Sequence, residues 1–585
     1  MDWAQRNSAR RQAVVWLGLL SSTSAIAFAC SAWHGLTCRA APEPYLDEVF
    51  HIGQAQAYCA GRFDQWDPKI TTPPGLYLIS YALSRVGECD VRALRATNCI
   101  ALCVTAFVCG LVLHAIKERR GTSTATDPIQ SILRSIHAVV NISFFPPMFF
   151  FTGLYYTDVA STGVTLLAYY YFIRSKSAAF EASSVAFNFV FTATGLFSLL
   201  FRQTNVFWVA VFPAGLAIVS TLKSSRRGLK PIAIPQSAPF GAVARASWTY
   251  NVLYDVPVSD ASIEDYLKVV ESIVIVALRK LPAVLRSIIA PSIVLAAFGA
   301  FVVWNGGVVL GDKSNHVATI HLPQMLYLWP YILFFSFPLC IGPIFSIVAQ
   351  LPFPQMARFQ RATQGCAIRH LPRAAVLGIF TLLGLLAVHY NTIIHPFTLA
   401  DNRHYVFYVF RVLRRHWTIP YVMVPVYVLC GWFATRTLGG DESAPPVEKK
   451  DDDAAAENAA RDQIVVQDQG CYVSFVVVWL AATTLSVVTA PLVEPRYFIL
   501  PWLMWRLHVP TARTVVEENP GGKGKERREE SWFEVLKSSL WVEYDRRLWV
   551  ETAWHLCVNM VTGFVFLQKG FSWPQEPGKV QRFMW

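Results

Sequence analysis

The stretch PYLDEVFHIGQAQAYCAGRFDQWDPKITTPPGLYLIS, residues 44–80, decides how the rest of the chain is read. It sets Asp47, Glu48, His51, Asp64 and Asp67 between two hydrophobic segments, each long enough to cross a bilayer. Charges so placed belong in water at a membrane face, and that is where chemistry is expected. If residues 47–51 form a helical turn, Asp47 and His51 share a face at i,i+4 while Glu48 points elsewhere. One carboxylate is then free to act as a base and its neighbour to support it. The run Thr71-Thr72-Pro73-Pro74-Gly75 stops regular structure, because proline lacks a backbone donor and disfavours helix at the residue before it. The chain then re-enters the membrane at Leu76–Leu83.

Composition sets the class. Of 585 residues, 54% are hydrophobic and 15% charged, and the mean hydropathy is +0.36, too apolar for an ordinary soluble globule. The net charge of +12 sits in loops between apolar spans, which fits positive-inside topology better than a nucleic-acid surface. The 12 cysteines contain no Cys-x-x-Cys pair, which leaves neither a zinc site nor a thioredoxin-type centre indicated. Cys38, Cys59 and Cys89 flank the opening stretch and suit either one disulfide in an oxidising lumen or free thiols.

Working outward, residues 1–12 form a polar cytosolic N-terminus with Arg6, Arg10 and Arg11, followed by a retained apolar anchor from Ala13. The first loop, about residues 35–93, then lies across the membrane, and a span over 94–116 returns to Lys117, Arg119 and Arg120. Basic clusters mark the same side after each later return, at Arg174 and Lys176, at Lys223–Lys230, at Arg358–Arg373 and at Arg436. Residues 223–282 form a longer cytosolic segment with an amphipathic helix expected around 263–279 on the membrane surface. Residues 439–470 read as a disordered cytosolic linker, residues 509–549 as a charged cytosolic loop, and residues 550–585 as a last span and C-terminus. The expected fold is an all-α polytopic membrane protein whose multi-span domain covers residues 13–508, with roughly 12–14 transmembrane helices in all. One alternating topology puts every dense polar motif on a single side: 47–67, 155–158, 202–205, 312–316, 401–404 and 494–496.

That side gathers a carboxylate-rich loop with the isolated cations Arg202, Lys313, Arg403 and Arg496. Such a set suits an enzyme with an anionic lipid donor, because cations stabilise a phosphate leaving group while a carboxylate deprotonates the acceptor. No P-loop or Gly-x-Gly-x-x-Gly nucleotide site is visible.

The same residues carry a resemblance. Tyr45–His51, Trp66-Asp67-Pro68 with Ile70–Tyr77, Arg202–Asn205, Gly311–Ser314, Ala400–Tyr405 and Glu494–Phe498 resemble, in order, the motifs of the dolichyl-phosphate-glucose-dependent α-1,2-glucosyltransferases of the endoplasmic reticulum. That family adds the third and last glucose to the lipid-linked oligosaccharide. The resemblance implies a GT-C type bundle with a catalytic first luminal loop, dolichyl phosphate glucose as donor, a dolichyl-diphosphate-linked oligosaccharide as acceptor, and no cofactor or metal. It implies inversion by single displacement with one carboxylate base, Asp47, with Glu48 as the alternative. Arg202, Arg403 and Arg496 are the expected phosphate ligands, with Lys313 and His316 as further candidates. His51, Asp67, Asp158, Asp312, Asp401, Asn402, His404 and Glu494 are expected to support the substrate loops.

Plainer readings stand beside these. Asp47 suits a helix cap, Arg202 and Arg496 suit snorkelling at span ends, and Tyr155, Tyr156, Tyr405, Tyr408 and Trp417 suit an interfacial aromatic belt. A metal site from Asp47, Glu48 and His51 has weak spacing. A transporter would carry charges at the membrane midplane, whereas these lie in loops; a sister dolichyl-phosphate-sugar transferase and a non-catalytic membrane partner complete the alternatives.

Overall fold

Long apolar runs in lipid must satisfy their backbone groups internally, so they become helices, and prolines decide where those helices stop. The computed structural model describes residues 3–120, 128–177, 181–224, 234–311, 313, 319–342, 344, 372–440, 470–490, 492–511, 544–574 and 576–585. Among them, seven helices are long and apolar enough to cross a membrane, or nine if each of two bent pairs is one span. The bent pairs are Ser131–Ser143 with Pro146–Gly153, and Leu281–Ser287 with Ile289–Asn305. In the first, Pro146 and Pro147 interrupt the ladder.

This count, taken over the described residues, is below the expected twelve to fourteen, and other helices of the bundle account for part of the difference. Asp158–Ser177 has the length but carries buried Asp158, Ser161, Thr162 and Thr165; Pro323–Phe335, Val473–Val488 and Ile499–His508 are short. Shielded by neighbouring helices, these segments need neither full length nor an apolar surface. A second departure from an all-α chain is a small antiparallel pair, Phe571–Trp573 with Glu576–Gln581, after the last helix. The expected linker at 439–470 and loop at 509–549 fall mostly outside the described residues.

The centre of the bundle is aromatic. Phe145 stacks on Trp502 with ring centroids 3.6 Å apart. Four fully buried indoles find acceptors: Trp208 donates to Ser486, Trp479 to Pro501 O, Trp502 to Ser336 and Trp505 to Ala434 O. The last helix, Arg546–Gln568, is pinned by a buried pair, Arg506–Glu551 at 2.6 Å, to which Asn141 donates at 2.8 Å.

Polar contacts separate to the two ends. The 29-residue helix Val91–Arg119 has Arg95 at the end that holds Asp47, and its other end lies beside the Glu118–Arg174 pair. That far end also holds Lys223–Asp255 and the bond from Arg436 to Val258 O, so the 234–282 segment lies opposite the motif-bearing end. The helix Ile263–Arg279 forms where expected; it buries Asp265, Val269, Ser272 and Val276 and turns the stripe Leu267, Val270, Val274 and Leu278 outward.

Two glycines are required where the motif loops meet. A Cβ on Gly75 would lie 2.7 Å from Leu200 O, and Gly311 has φ +60° with its Cβ direction blocked by the Pro68 and Ile70 carbonyls.

Candidate active site

The turn that carries Asp47 is held from inside by its neighbour. Glu48 opens the helix Glu48–Cys59 and is fully buried. Its Oε1 accepts from Arg95 Nε at 2.9 Å and Tyr155 N at 2.6 Å, and its Oε2 from Arg95 Nη2 at 2.6 Å and Tyr45 N at 3.0 Å. All its acceptor directions are used, and no lone pair remains for a substrate proton. This corrects Glu48 as a candidate base: it is a buried anchor, since a carboxylate next to a buried guanidinium is too costly to leave unpaired.

Asp47 takes the N-cap position of that helix, yet its side chain makes no cap bond, which answers the plain capping reading. It follows Leu46, whose φ of +56° is rare for a residue with a side chain and costs on the order of 1–3 kcal/mol. The Asp47 side chain is 53% exposed, and its Oδ2 lies 3.7 Å from Arg496 Nη2. The expected i,i+4 partner His51 sits one turn on, with Nδ1 2.6 Å from the Tyr77 hydroxyl. Burial, opposed by Asp47 and Asp158, lowers the His51 pKa to about 4, so the imidazole is neutral at physiological pH.

Arg496 joins the turn to a cavity. Its guanidinium pairs with Glu494 at 2.6 Å and lies 3.8 Å from Asp158 Oδ2, while Arg202 pairs with Asp158 Oδ1 at 2.6 Å. Burial opposes the Arg496 charge, but Glu494, Asp158 and Asp47 hold its pKa well above the usual arginine value. Tyr156 and Phe151 face the guanidinium at 5.1 and 5.5 Å. Asp158, Arg202 and Arg496 line a cavity of about 310 Å³ together with hydroxyl and amide side chains such as Thr72, Gln203 and Asn205 and with apolar ones such as Phe298, Val308 and Leu500. Cations, hydrogen-bonding groups and apolar surface in one cavity suit an amphiphile with an anionic, polar head. Among the described residues, no group of three or more His, Cys, Asp or Glu side chains could hold a metal ion.

The sequence pattern of the DIE2/ALG10 family matches residues 41–507. The chain belongs to the DIE2/ALG10 family. It is 41% identical to the Dol-P-Glc:Glc(2)Man(9)GlcNAc(2)-PP-Dol alpha-1,2-glucosyltransferase of Aspergillus fumigatus, over 94% of this chain and 96% of that protein. It is 30% identical to the protein of the same name from Mus musculus, over 94% of each. No solved structure matches the chain.

Within this DIE2/ALG10 member the expected site residues divide. Asp47, His51, Asp158, Arg202, Glu494 and Arg496 converge. Arg403 does not join them: Asp401 holds it at 2.7 Å, it lies over the Trp573 ring, and it donates to Gln581. His404 lies 3.9 Å from Asp401 in the same loop, and Asn402 keeps a buried Oδ1 without a partner. The Lys313 ammonium donates to the Asn305 carbonyl and is exposed to solvent. Arg403 and Lys313 are absent from the lining of the cavity that Arg202 and Arg496 share, so the four cations do not form one cluster. Asp67 accepts from Lys69 N and shapes its own loop. Asp312 and His316 lie outside the described residues.

Three contributors escaped sequence reasoning. Arg95 carried a signal, an arginine just inside an expected span, which calls for a buried partner. Tyr155 and Tyr156 are 0% and 1% exposed and pack in the core, so they are not belt residues, whereas Trp417, at 75%, faces outward. The segment 571–585 folds back against Tyr45 and the 401–405 loop, with no local sequence mark.

Proposed function

We propose that this DIE2/ALG10 member transfers glucose from dolichyl phosphate glucose, in α-1,2 linkage, to the diglucosylated dolichyl-diphosphate-linked oligosaccharide, the last step in assembling the N-glycan precursor. In this reading it is an inverting GT-C type enzyme of the endoplasmic reticulum membrane with a cytosolic N-terminus and a luminal site. The observation that carries the mechanism is Asp47, an exposed carboxylate on a turn anchored by Glu48, 3.7 Å from an arginine that lines an amphiphilic cavity.

The 2-hydroxyl of the acceptor's terminal glucose attacks the anomeric carbon of the donor. The bond from that carbon to the phosphate oxygen breaks, the hydroxyl proton passes to Asp47, and the β-linked donor gives an α-linked product. The donor phosphodiester carries one negative charge and the departing dolichyl phosphate gains a second. Arg202 and Arg496 face the cavity where that charge grows, and Asp158 and Glu494 hold both guanidinium groups in place beforehand. When Asp47 takes the proton it loses its charge, and the attraction of Arg496 turns from the base to the phosphate. Proton transfer and leaving-group stabilisation are thus linked through one side chain. The apolar part of the lining, with Phe298, Val308 and Leu500, receives the first isoprene units, the donor lipid is a substrate, and no cofactor is required.

The purified protein is to be given dolichyl phosphate glucose or dolichyl phosphate mannose with the diglucosylated acceptor, and the product linkage determined. A single added α-1,2-glucose is expected. Transfer of mannose alone would assign the chain to a sister reaction.

A further inference from the structure

The Asp47 turn has a second anchor, on the side opposite Glu48. The Tyr45 hydroxyl donates to Arg582 O at 2.6 Å and accepts from Arg582 N at 2.7 Å, so both backbone polar groups of one distant residue close on one phenol. Tyr45 is 9% exposed, and burial pushes its pKa up to about 12, which keeps the phenol protonated as a donor. The Arg582 side chain fixes the same residue to two spans. It donates to Ala40 O at 2.7 Å, at the end of the first helix, and to Phe566 O at 2.7 Å and Leu567 O at 2.9 Å, in the last turn of the helix Arg546–Gln568. These are helix-terminal carbonyls that lack intrahelical donors, so one guanidinium ties the first span to the last.

The strap continues to the other motif loop. Met584 N donates to Arg403 O and Tyr405 N to Met584 O, and Met584 is fully buried. Arg403, set apart from the cavity, thereby acquires a place: its side chain and backbone both hold the 571–585 segment.

We infer that residues 582–584 form a positioning strap for the base, and that Tyr45, held by Arg582, aims the Asp47 carboxylate through the left-handed Leu46 turn. Only one residue separates Tyr45 from Asp47, and that residue holds a φ of +56°. A backbone in that region persists only where its surroundings enforce it. Tyr45 is enforced at both ends, its amide by Glu48 and its hydroxyl by Arg582. Glu48 and Arg95 hold the fold of the turn without the strap, which leaves aim as the strap's own contribution.

The inference rests on Asp47 as the base, and the test separates the two. Glucose transfer is measured on the full chain in detergent for wild type, Tyr45→Phe, Arg582→Ala, Arg582→Lys, Asp47→Asn and the Tyr45→Phe/Asp47→Asn double variant. A small displacement of a reacting group costs up to about a hundredfold in rate. Tyr45→Phe and Arg582→Ala are therefore expected to lose about tenfold or more in kcat, with the donor KM changed less than about twofold. Arg582→Lys keeps a donor to one helix end but not the planar fork that reaches both, and its kcat is expected to fall between those of wild type and Arg582→Ala. In the Asp47→Asn background, Tyr45→Phe is expected to add less than about twofold, because a misaimed base that is already absent cannot be lost again. Unchanged kcat in both Tyr45→Phe and Arg582→Ala overturns the strap and leaves the base assignment standing. A Tyr45→Phe loss that multiplies in full with Asp47→Asn also overturns it, since the effect would then be general to the fold. Near-normal Asp47→Asn overturns the base, and the strap with it.

Discussion

Arg496 Nη2 stands 3.7 Å from Asp47 Oδ2, while its other terminal nitrogen stands 3.8 Å from Asp158 Oδ2. The two carboxylates differ in standing: the Asp47 side chain is 53% exposed and that of Asp158 is 2% exposed. Arg496 therefore stands between the exposed Asp47 carboxylate and the lining of the cavity. Lysine in its place keeps the charge but cannot span two partners with a planar fork. Arg496→Lys is expected to lose about a hundredfold in kcat/KM, with a kcat loss at saturating donor showing that the transition state is affected. Steady-state transfer assays at varied donor concentration measure it.

Glu48 and Asp47 are adjacent and both acidic, and the structure gives them opposite fates. Removing the Glu48 charge leaves Arg95 buried beside carbonyls alone. Breaking a buried pair in this way costs about 3–5 kcal/mol. Glu48→Gln is expected to lower the yield of monodisperse protein and its unfolding temperature sharply, while Asp47→Asn behaves as wild type in both. Fluorescence-detected size exclusion with a thermal ramp distinguishes them.

How much of this was legible beforehand follows from which forces act locally. Lipid imposes helices on apolar runs and basic residues mark one face, so the gathering of motifs at one end could be read from residues 44–80 and the later loops. Arg202, Asp158, Glu494 and Arg496 belong to that reading, and they do converge. Arg403 looks the same in sequence as Arg496, a cation beside an acid in a polar loop, and only the return of residues 571–585 separates them. Contacts such as Tyr45 with Arg582, 537 residues apart, leave no periodicity or spacing to detect. The bent spans were harder to count because proline breaks a helix without showing whether the chain goes on across the membrane.

Of Cys38, Cys59 and Cys89, which the sequence offers as one bridge or as free thiols, Cys59 and Cys89 are joined in a disulfide that closes the first loop over a separation of 30 residues, and Cys38 is a free thiol. It links the end of the Glu48–Cys59 helix to the approach to Val91–Arg119. By loop-closure entropy such a link contributes about 3.6 kcal/mol. Cys59→Ser/Cys89→Ser is expected to unfold at a lower temperature than wild type under non-reducing conditions, and dithiothreitol is expected to lower the wild type toward it. Differential scanning fluorimetry reads both.

His51 makes stability depend on pH with a definite sign. Its folded pKa is lowered to about 4 by burial, against about 6.5 in the unfolded chain. Between those values the unfolded state binds a proton that the folded state does not, so stability is complete above about pH 6.5 and falls as pH drops toward 4. His51→Gln removes this proton linkage. Its unfolding temperature is expected to fall less steeply than that of wild type between pH 6.5 and 4.5, and parallel slopes would show that His51 contributes nothing to the acid limb.

Proton transfer to Asp47 is measured most directly by glucose transfer with purified Asp47→Asn beside wild type, with folding verified for both. Asparagine keeps the shape of the side chain and removes its basicity, so a rate loss of about a hundredfold or more with an unchanged unfolding temperature is expected. Transfer within a few-fold of wild type would contradict the account and move the base elsewhere in the cluster.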